Sequence, residues 1–235
     1  MAAGVGMTLT ARDLAHVWHP CTQMHDHLAG ELPLIPIRSA QGAWLMGHDG
    51  RQYLDAVSSW WVNIFGHNHP HISGALKQQI DTLSHIILAG FTHDPAVELA
   101  EKLCALTGLD KVFYADNGSS AVEVALKMSY HYWQNIGQTQ KHQFISLANS
   151  YHGETLGALA VGDVPLYKQT YGRLLMDCLV APSPDAYDVP AGENAQAAAA
   201  RAIAAMRELL TQHHTQTCAV IIEPLVQCAG GMRMY

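Results

Sequence analysis

The chain has 235 residues, of which 49% are hydrophobic and 14% charged, and its formal net charge is −7. This composition supports a sizeable folded core and excludes a disordered chain or a basic, nucleic-acid-binding surface. There is no run of about 18 apolar residues and no secretory signal pattern, so we expect a cytoplasmic protein without a membrane partner. The five cysteines form no CxxC pair, so neither a disulfide framework nor a zinc site is predicted.

Two patterns divide the chain. Residues 1–66 contain an alternating segment that breaks at Asp49 and Gly50, which favours a β-hairpin. From Pro70 onward helical and strand patterns alternate, as is typical of a largely parallel sheet covered on both faces. We therefore predict an α/β protein with an N-terminal segment, residues 1–66, and an incomplete large sheet domain, residues 67–235.

The elements of the second region follow from periodicity and from helix-end residues such as Pro95 and Gly108. In chain order we predict helices over 71–83 and 95–107, a strand over 111–115, a helix over 119–134, strands over 143–148 and 178–181, a helix over 194–212 and a strand over 218–225. A glycine loop follows the last strand and the sequence then stops. We therefore expect the chain to be a fragment of a longer protein.

The segment "DNGSSAVE" places a glycine and two serines between a predicted strand and a predicted helix. A helix N-terminus carries unpaired N–H groups and a partial positive charge, so it binds phosphate well. Gly118 would let the backbone approach a ligand, and Ser119 and Ser120 would add hydroxyl donors. The alternative is that Asn117 or Ser119 only caps the helix. Neither a P-loop nor a GxGxxG pattern is present.

Two further candidates lie after or within predicted strands. Tyr151 and His152 lie after the strand over 143–148, where ligands bind in open α/β sheets, and the tyrosine could stack on a planar ring. A packed loop tyrosine is the alternative. Glu223 lies within the apolar segment "AVIIEPLV", where a carboxylate is costly unless it is paired. It is a functional candidate, with a structural ion pair as the alternative.

The segment "SSWWVNIFGHNHPH" pairs two tryptophans. In an extended chain Trp60 and Trp61 point to opposite sides, so only one can easily join a core. His67, His69 and His71 have a spacing compatible with metal binding, but they occupy a predicted turn with no carboxylate close in sequence. We therefore predict no metal site.

Taken together, these stretches resemble the class III, fold-type I aminotransferases, which use pyridoxal 5′-phosphate (PLP). The resemblance is carried by "LDAVSSWWVNIFGHNHP", "AGFTHDPAVELAEKL", "FYADNGSSAVEVALKM", "NSYHGETLGAL" and "VIIEPLVQCAGGMRMY". The paired tryptophans and "HVWHPCTQM" are similar to the transaminases of biotin synthesis. Those enzymes transfer an amino group from S-adenosylmethionine to 8-amino-7-oxononanoate to give 7,8-diaminononanoate. The resemblance implies a small-domain segment followed by the first half of a large PLP-binding domain.

The resemblance also implies roles for single residues. Gly118 and Ser119 would hold the cofactor phosphate, and Tyr151 would stack on the pyridine ring and face substrate. Trp60 would line the substrate pocket, and Glu223 would fix polar groups beside the cofactor. Cys21 stands where the family often has tyrosine, at a position that would contact substrate. Glu154 stands where some members have aspartate.

The resemblance further implies a homodimer with active sites at the subunit interface. The family's Schiff-base lysine, and the aspartate that pairs with the pyridinium nitrogen, are expected beyond Tyr235. No catalytic residue is therefore assigned within this chain, and we expect the 235 residues alone to be inactive. Two alternatives remain open, namely a class III transaminase for ω-amino acids or diamines, and a non-catalytic fragment.

Overall fold

The computed structural model describes residues 8–187 and 189–235. The chain forms two compact units, the first ending at Glu98 and the second comprising Leu99–Tyr235. The division predicted at residue 66 stays a prediction. α5 (Asp94–Thr107) contains the observed division.

The first unit is built on a three-stranded antiparallel sheet in the order β1-β2-β3. The hairpin predicted at Asp49 and Gly50 is confirmed, because it joins β2 to β3. The N–H of Gly50, with a φ of 81°, donates to the Gly47 carbonyl at 3.1 Å. The elements are α1 (Leu9–His16), α2 (Met24–Ala29), β1 (Ile37–Gln41), β2 (Trp44–Gly47), β3 (Gln52–Leu54), the short turn α3 (Ser58–Trp61) and α4 (Pro70–Thr82).

The second unit contains the predicted parallel sheet, in the order β5-β4-β6. A small antiparallel ribbon, β7 with β8, follows it. The elements are α6 (Gly118–Asn135), β4 (Gln143–Leu147), α7 (Leu156–Ala160), α8 (Pro165–Lys168), a 3-10 helix (Gln169–Leu174), β5 (Cys178–Ala181), α9 (Ala195–His213), β6 (Thr217–Val220), β7 (Val226–Gln227) and β8 (Arg233–Met234).

The central strand β4 is buried on both faces, because its side chains alternate between two apolar clusters. Phe144 packs with Leu126 of α6, and the Trp133 indole of the same helix donates to the Cys218 carbonyl at 2.7 Å. Ile145 and Leu147 form the second cluster, which side chains of α9 cover. Burying a side chain such as Ile145 contributes about 1.5–3 kcal/mol. The prediction of a sheet covered on both faces is therefore confirmed.

One strand prediction was wrong and a second was wrong in part. Residues 111–115 are not a strand, because within the described ranges no other strand pairs with them, and apolar periodicity cannot supply a partner. The last strand ends at Val220 instead of residue 225, although the Ile221 N–H still donates to the Ile145 carbonyl at 2.9 Å. Glu223 consequently lies beyond the carboxyl end of β6 rather than inside a strand.

Candidate functional site

The N-terminus of α6 offers two backbone donors. Asn117 caps the helix, since its side-chain oxygen accepts the Ser120 N–H at 2.9 Å, so the capping alternative holds for this residue. The Ser120 hydroxyl hydrogen-bonds Asp116 and holds the pKa of that carboxyl below its ordinary value. Within the described residues, the N–H groups of Gly118 and Ser119 meet no acceptor. Their hydrogen-bonding capacity is available to an anion.

The loop after β4 packs directly on this helix start. The Ser119 hydroxyl oxygen accepts the N–H of Glu154 at 3.2 Å. Gly153 has a φ of 124°, and a Cβ there would overlap the Ser119 hydroxyl, so the close approach requires glycine. A Cβ built on Gly118 would meet nothing within 4 Å, so the space before the helix is open. The loop and the helix start are therefore in direct contact.

Glu223 fixes the backbone of two loops. Its carboxylate accepts the N–H of Tyr151 at 2.9 Å and the N–H of Cys228 at 3.1 Å. Tyr235 donates its hydroxyl to the Glu223 carbonyl. The predicted alternative of a structural ion pair does not apply, because the partners of the carboxylate are backbone amides. Such bonds to a charged acceptor are worth more than neutral ones, so Glu223 holds Tyr151 firmly.

Tyr151 is half-buried. Its hydroxyl donates to the Glu154 carboxylate at 3.1 Å, and its ring lies edge-on to the Tyr167 ring with centroids 5.7 Å apart. The structure thus brings Ser119, Tyr151 and Glu223 together at the carboxyl ends of β4 and β6, where α/β sheets bind ligands. Stacking of Tyr151 on a cofactor stays a prediction.

His152 adds a buried polar atom without a partner among the described residues, the ring Nε2. Burial lowers the pKa of His152 below its ordinary value, while the charge of Glu223 opposes that shift. The imidazole is therefore neutral near pH 7.

These features fit a phosphorylated ring compound such as PLP. Among the described residues, the N–H groups of Gly118 and Ser119 meet no acceptor and the His152 Nε2 in the adjoining loop has no partner, and a Cβ on Gly118 would meet nothing within 4 Å. A phosphate is the chemical group that such a helix start binds.

The predicted substrate residues lie in the first unit. Trp60 and Trp61 do not lie in an extended chain, so the condition for their pointing to opposite sides is not met. They occupy a left-handed turn, each with a φ of 68°, and their exposed fractions are 70% and 52%. Cys21 is an exposed free cysteine with a φ of 58°. The roles assigned to Trp60 and Cys21 stay predictions.

Two carboxylates were not identified from sequence. Asp55 lies 2.7 Å from the Nε2 of His67, although the sequence shows no carboxylate close to that histidine. Glu123 accepts the N–H groups of Gly157 and Ala158 at 2.8 and 3.3 Å and so caps α7, whereas helical spacing suggests a pair with Lys127. Neither partner is near in sequence, so no local pattern could have indicated these contacts.

The lysines divide into two groups. Lys168 Nζ donates to the carbonyls of Ala160 and Gly162 at 3.0 and 2.9 Å, and Lys141 Nζ lies 4.4 Å from the centre of the Trp133 ring. Lys168 ends α8 instead of lying in a loop. The others, Lys77, Lys102, Lys111 and Lys127, are exposed.

Metal and membrane features were searched over residues 8–187 and 189–235. No group of three or more His, Cys, Asp or Glu side chains there is arranged to hold a metal ion. Over the same residues, the helices are all too short or too polar to cross a bilayer.

Comparison with known proteins identifies relatives across the whole chain. The family model for aminotransferase class-III matches residues 27–235. The adenosylmethionine-8-amino-7-oxononanoate aminotransferase of Helicobacter pylori is 51% identical over 229 residues, which cover 97% of this chain and 50% of that protein.

Solved structures agree. The crystal structure of adenosylmethionine-8-amino-7-oxononanoate aminotransferase from Methanocaldococcus jannaschii superposes with a TM-score of 0.84 at 35% identity, covering 97% of this chain and 49% of that chain. An amine transaminase from an uncultivated Pseudomonas species, solved in its PLP-bound form, gives a TM-score of 0.82 at 31% identity, covering 93% and 50%. The chain therefore spans about half the length of the relatives it matches.

Proposed function

The chain belongs to the class-III aminotransferase family, a family that uses PLP, and from this premise we propose that the protein is a transaminase of biotin biosynthesis. It transfers an amino group from S-adenosylmethionine to 8-amino-7-oxononanoate and gives 7,8-diaminononanoate. The observation that carries the proposal is the 51% identity over 229 residues to an enzyme named for these two substrates. A cytoplasmic location and a homodimer are part of the same proposal.

The cofactor residues have separate tasks. The N–H groups of Gly118 and Ser119 bind the phosphate, and the positive end of α6 favours its charge. Glu223 holds the Tyr151 backbone through a 2.9 Å bond, so the tyrosine ring is oriented before ligand arrives. When bound, PLP supplies the electron sink that makes amino transfer possible. In the first unit, Trp60 and Cys21 are the residues that contact the amino acceptor.

The catalytic lysine is expected outside these 235 residues. Lys141 and Lys168 are engaged by backbone carbonyls, and the other lysines, Lys77, Lys102, Lys111 and Lys127, are exposed. We propose that the chain alone does not catalyse amino transfer, whereas the full product of its gene does. An activity assay on both forms distinguishes these outcomes.

The direct test uses the full gene product with PLP, S-adenosylmethionine and 8-amino-7-oxononanoate. We expect 7,8-diaminononanoate, detected by mass spectrometry, and no product when either substrate is omitted. Absence of turnover with this pair, in a protein that binds PLP, would contradict the proposal.

A second candidate is an amine or ω-amino acid transaminase, favoured by the likeness to the Pseudomonas amine transaminase at 31% identity. The tryptophan pair at residues 60 and 61 distinguishes the two functions, because a small charged amine does not require so large an aromatic wall. A donor screen decides between them: turnover of simple amines without S-adenosylmethionine supports the second candidate.

A further inference from the structure

Four consecutive residues of the first unit have left-handed backbone. The φ angles of Ser58, Ser59, Trp60 and Trp61 are 50°, 48°, 68° and 68°. None is glycine, and L-residues avoid this conformation because Cβ crowds the following carbonyl oxygen. Such strain persists only where surrounding contacts impose it, and it concentrates at functional sites.

Backbone bonds such as that from the Trp61 N–H to the Val57 carbonyl, at 2.8 Å, support this turn, and the side chain that holds it is the carboxylate of Asp55. Its two oxygens accept the N–H of Ser59 at 2.9 Å and the Ser59 hydroxyl at 2.7 Å. The Nε2–H of His67 donates to the second oxygen at 2.7 Å. The side chains of Asp55 and His67 are 7% and 17% exposed, so water competes weakly for these bonds.

Backbone hydrogen bonds join Asp55 and His67 to the turn between β1 and β2. The Asp55 N–H donates to the Ala43 carbonyl at 2.9 Å, and His67 exchanges two backbone hydrogen bonds with Gly42, at 3.0 and 2.7 Å. Gly66 approaches this turn so closely that a Cβ there would lie 3.0 Å from the Gly42 Cα. The backbone that carries the carboxylate and the imidazole is therefore held in place by the turn between β1 and β2.

The backbone bond of Trp61 to Val57 does not hold the tryptophan side chains, and both of these are exposed. Trp60 is 70% exposed, so side-chain packing within the first unit does little to orient its ring. The direction of the ring is consequently set by the backbone of the left-handed turn. Whatever releases the turn from Asp55 also releases the orientation of Trp60.

We propose that Asp55 and His67 are positioning residues that lock the turn at Ser58–Trp61 and thereby aim Trp60. For the substrate, this inference rests on the proposed function: the locked Trp60 forms a preset wall against the long amino acceptor. A wall held in place before binding costs less conformational entropy on association.

The first test is spectroscopic and does not require turnover. Near-ultraviolet circular dichroism spectra of the full gene product are recorded for wild type and for Trp60→Phe. The difference between the two spectra is the signal of Trp60. When the same two spectra are recorded with Asp55→Asn also present, we expect most of that difference to be lost. Asp49→Asn is the matched control, because Asp49 also accepts a backbone N–H and a hydroxyl, both at 3.0 Å, but in the β2–β3 turn. An unchanged Trp60 signal in Asp55→Asn overturns the proposal.

A rescue variant separates positioning from general damage. Ser58→Gly lets residue 58 adopt positive φ without strain and leaves Ser59 and both tryptophans unchanged. Added to Asp55→Asn, it is expected to restore the Trp60 signal. If Asp55→Asn fails to fold, His67→Gln takes its place, and a signal equal to wild type then contradicts the proposal.

Kinetics test the substrate part. Asp55→Asn is expected to raise KM for 8-amino-7-oxononanoate about tenfold while kcat changes less than about twofold, the pattern of lost binding. A lost Trp60 signal with unchanged KM overturns the substrate part alone. If wild type does not use this acceptor, the proposed function fails, while the spectra still decide whether Asp55 and His67 aim Trp60.

Discussion

The Ser119 side chain contacts the loop after β4 and also has a proton to donate to an anion. Its hydroxyl already accepts the Glu154 N–H, and its own proton and backbone N–H remain for an anion. We expect Ser119→Ala to weaken PLP binding by about tenfold, the value of one hydrogen bond to a charged group, and Ser119→Thr to bind more tightly than Ser119→Ala. Equilibrium dialysis measures the change.

Ser129→Ala is the control for this prediction, because Ser129 lies on the same helix and its hydroxyl bonds the Ala125 carbonyl of that helix, at 2.8 Å. Equal PLP affinity of Ser119→Ala and Ser129→Ala would remove Ser119 from the phosphate site.

His152 links stability to pH. Burial lowers its pKa from 6.5, so the folded protein keeps the imidazole neutral while the unfolded chain takes up a proton. The contribution of neutral His152 to the free energy of unfolding is fully present above pH 6.5. It is lost as the pH falls below that value toward the pKa of His152 in the folded protein. We expect His152→Gln to lose less unfolding free energy than wild type between about pH 7.5 and about pH 5.5.

Urea unfolding at several pH values measures this difference. His25→Gln is the control, since the His25 side chain is 85% exposed, and it should follow wild type. A pH profile of His152→Gln that parallels wild type would speak against the buried neutral imidazole.

Among the elements, α7 depends on a carboxylate from another helix. Glu123 of α6 accepts two N–H groups of the first turn of α7, and Gly157 lies so close that a Cβ there would contact that carboxylate. Glu123→Ala leaves both N–H groups unpaired, so we expect a loss of about 1–3 kcal/mol in unfolding free energy.

Chemical denaturation checks this value. The comparison variant is Glu208→Ala on α9, whose exposed carboxylate accepts from the nearby Gln212 side chain, at 3.1 Å. It should change stability by less than about 0.5 kcal/mol. Similar losses in both variants would mean that the cap on α7 contributes nothing specific.

The whole molecule presents a large apolar surface around the tryptophan turn. Trp60, Val62, Ile64 and Phe65 are 70%, 76%, 71% and 69% exposed. Soluble monomers rarely expose contiguous apolar patches of this kind. We therefore expect the 235-residue chain to self-associate in sedimentation velocity experiments, and Phe65→Asp to reduce the association. A monodisperse monomer with a cooperative melt would refute this expectation.

Local patterns fixed much of the second unit in advance. Apolar periodicity located β4, β5, α6 and α9 to within a residue or two, and the glycine and serines after Asn117 indicated where α6 begins. Motifs spread over the whole chain also indicated the family, which the match over residues 27–235 confirms. Both kinds of signal depend on residues that are close together in sequence.

Tertiary structure decided the remainder. Tyr151 and Glu223 are 72 residues apart, and Glu123 and Gly157 are 34 apart, yet each pair is joined by a hydrogen bond. Residues 111–115 have the composition of a strand but no partner strand among the described residues. The left-handed turn at Trp60 depends on the Asp55 carboxylate and on a hairpin. The sequence alone determined which segments favour helix or strand, because that preference is local. Which polar groups meet was settled only by the folded chain, because hydrogen bonds act between neighbours in space.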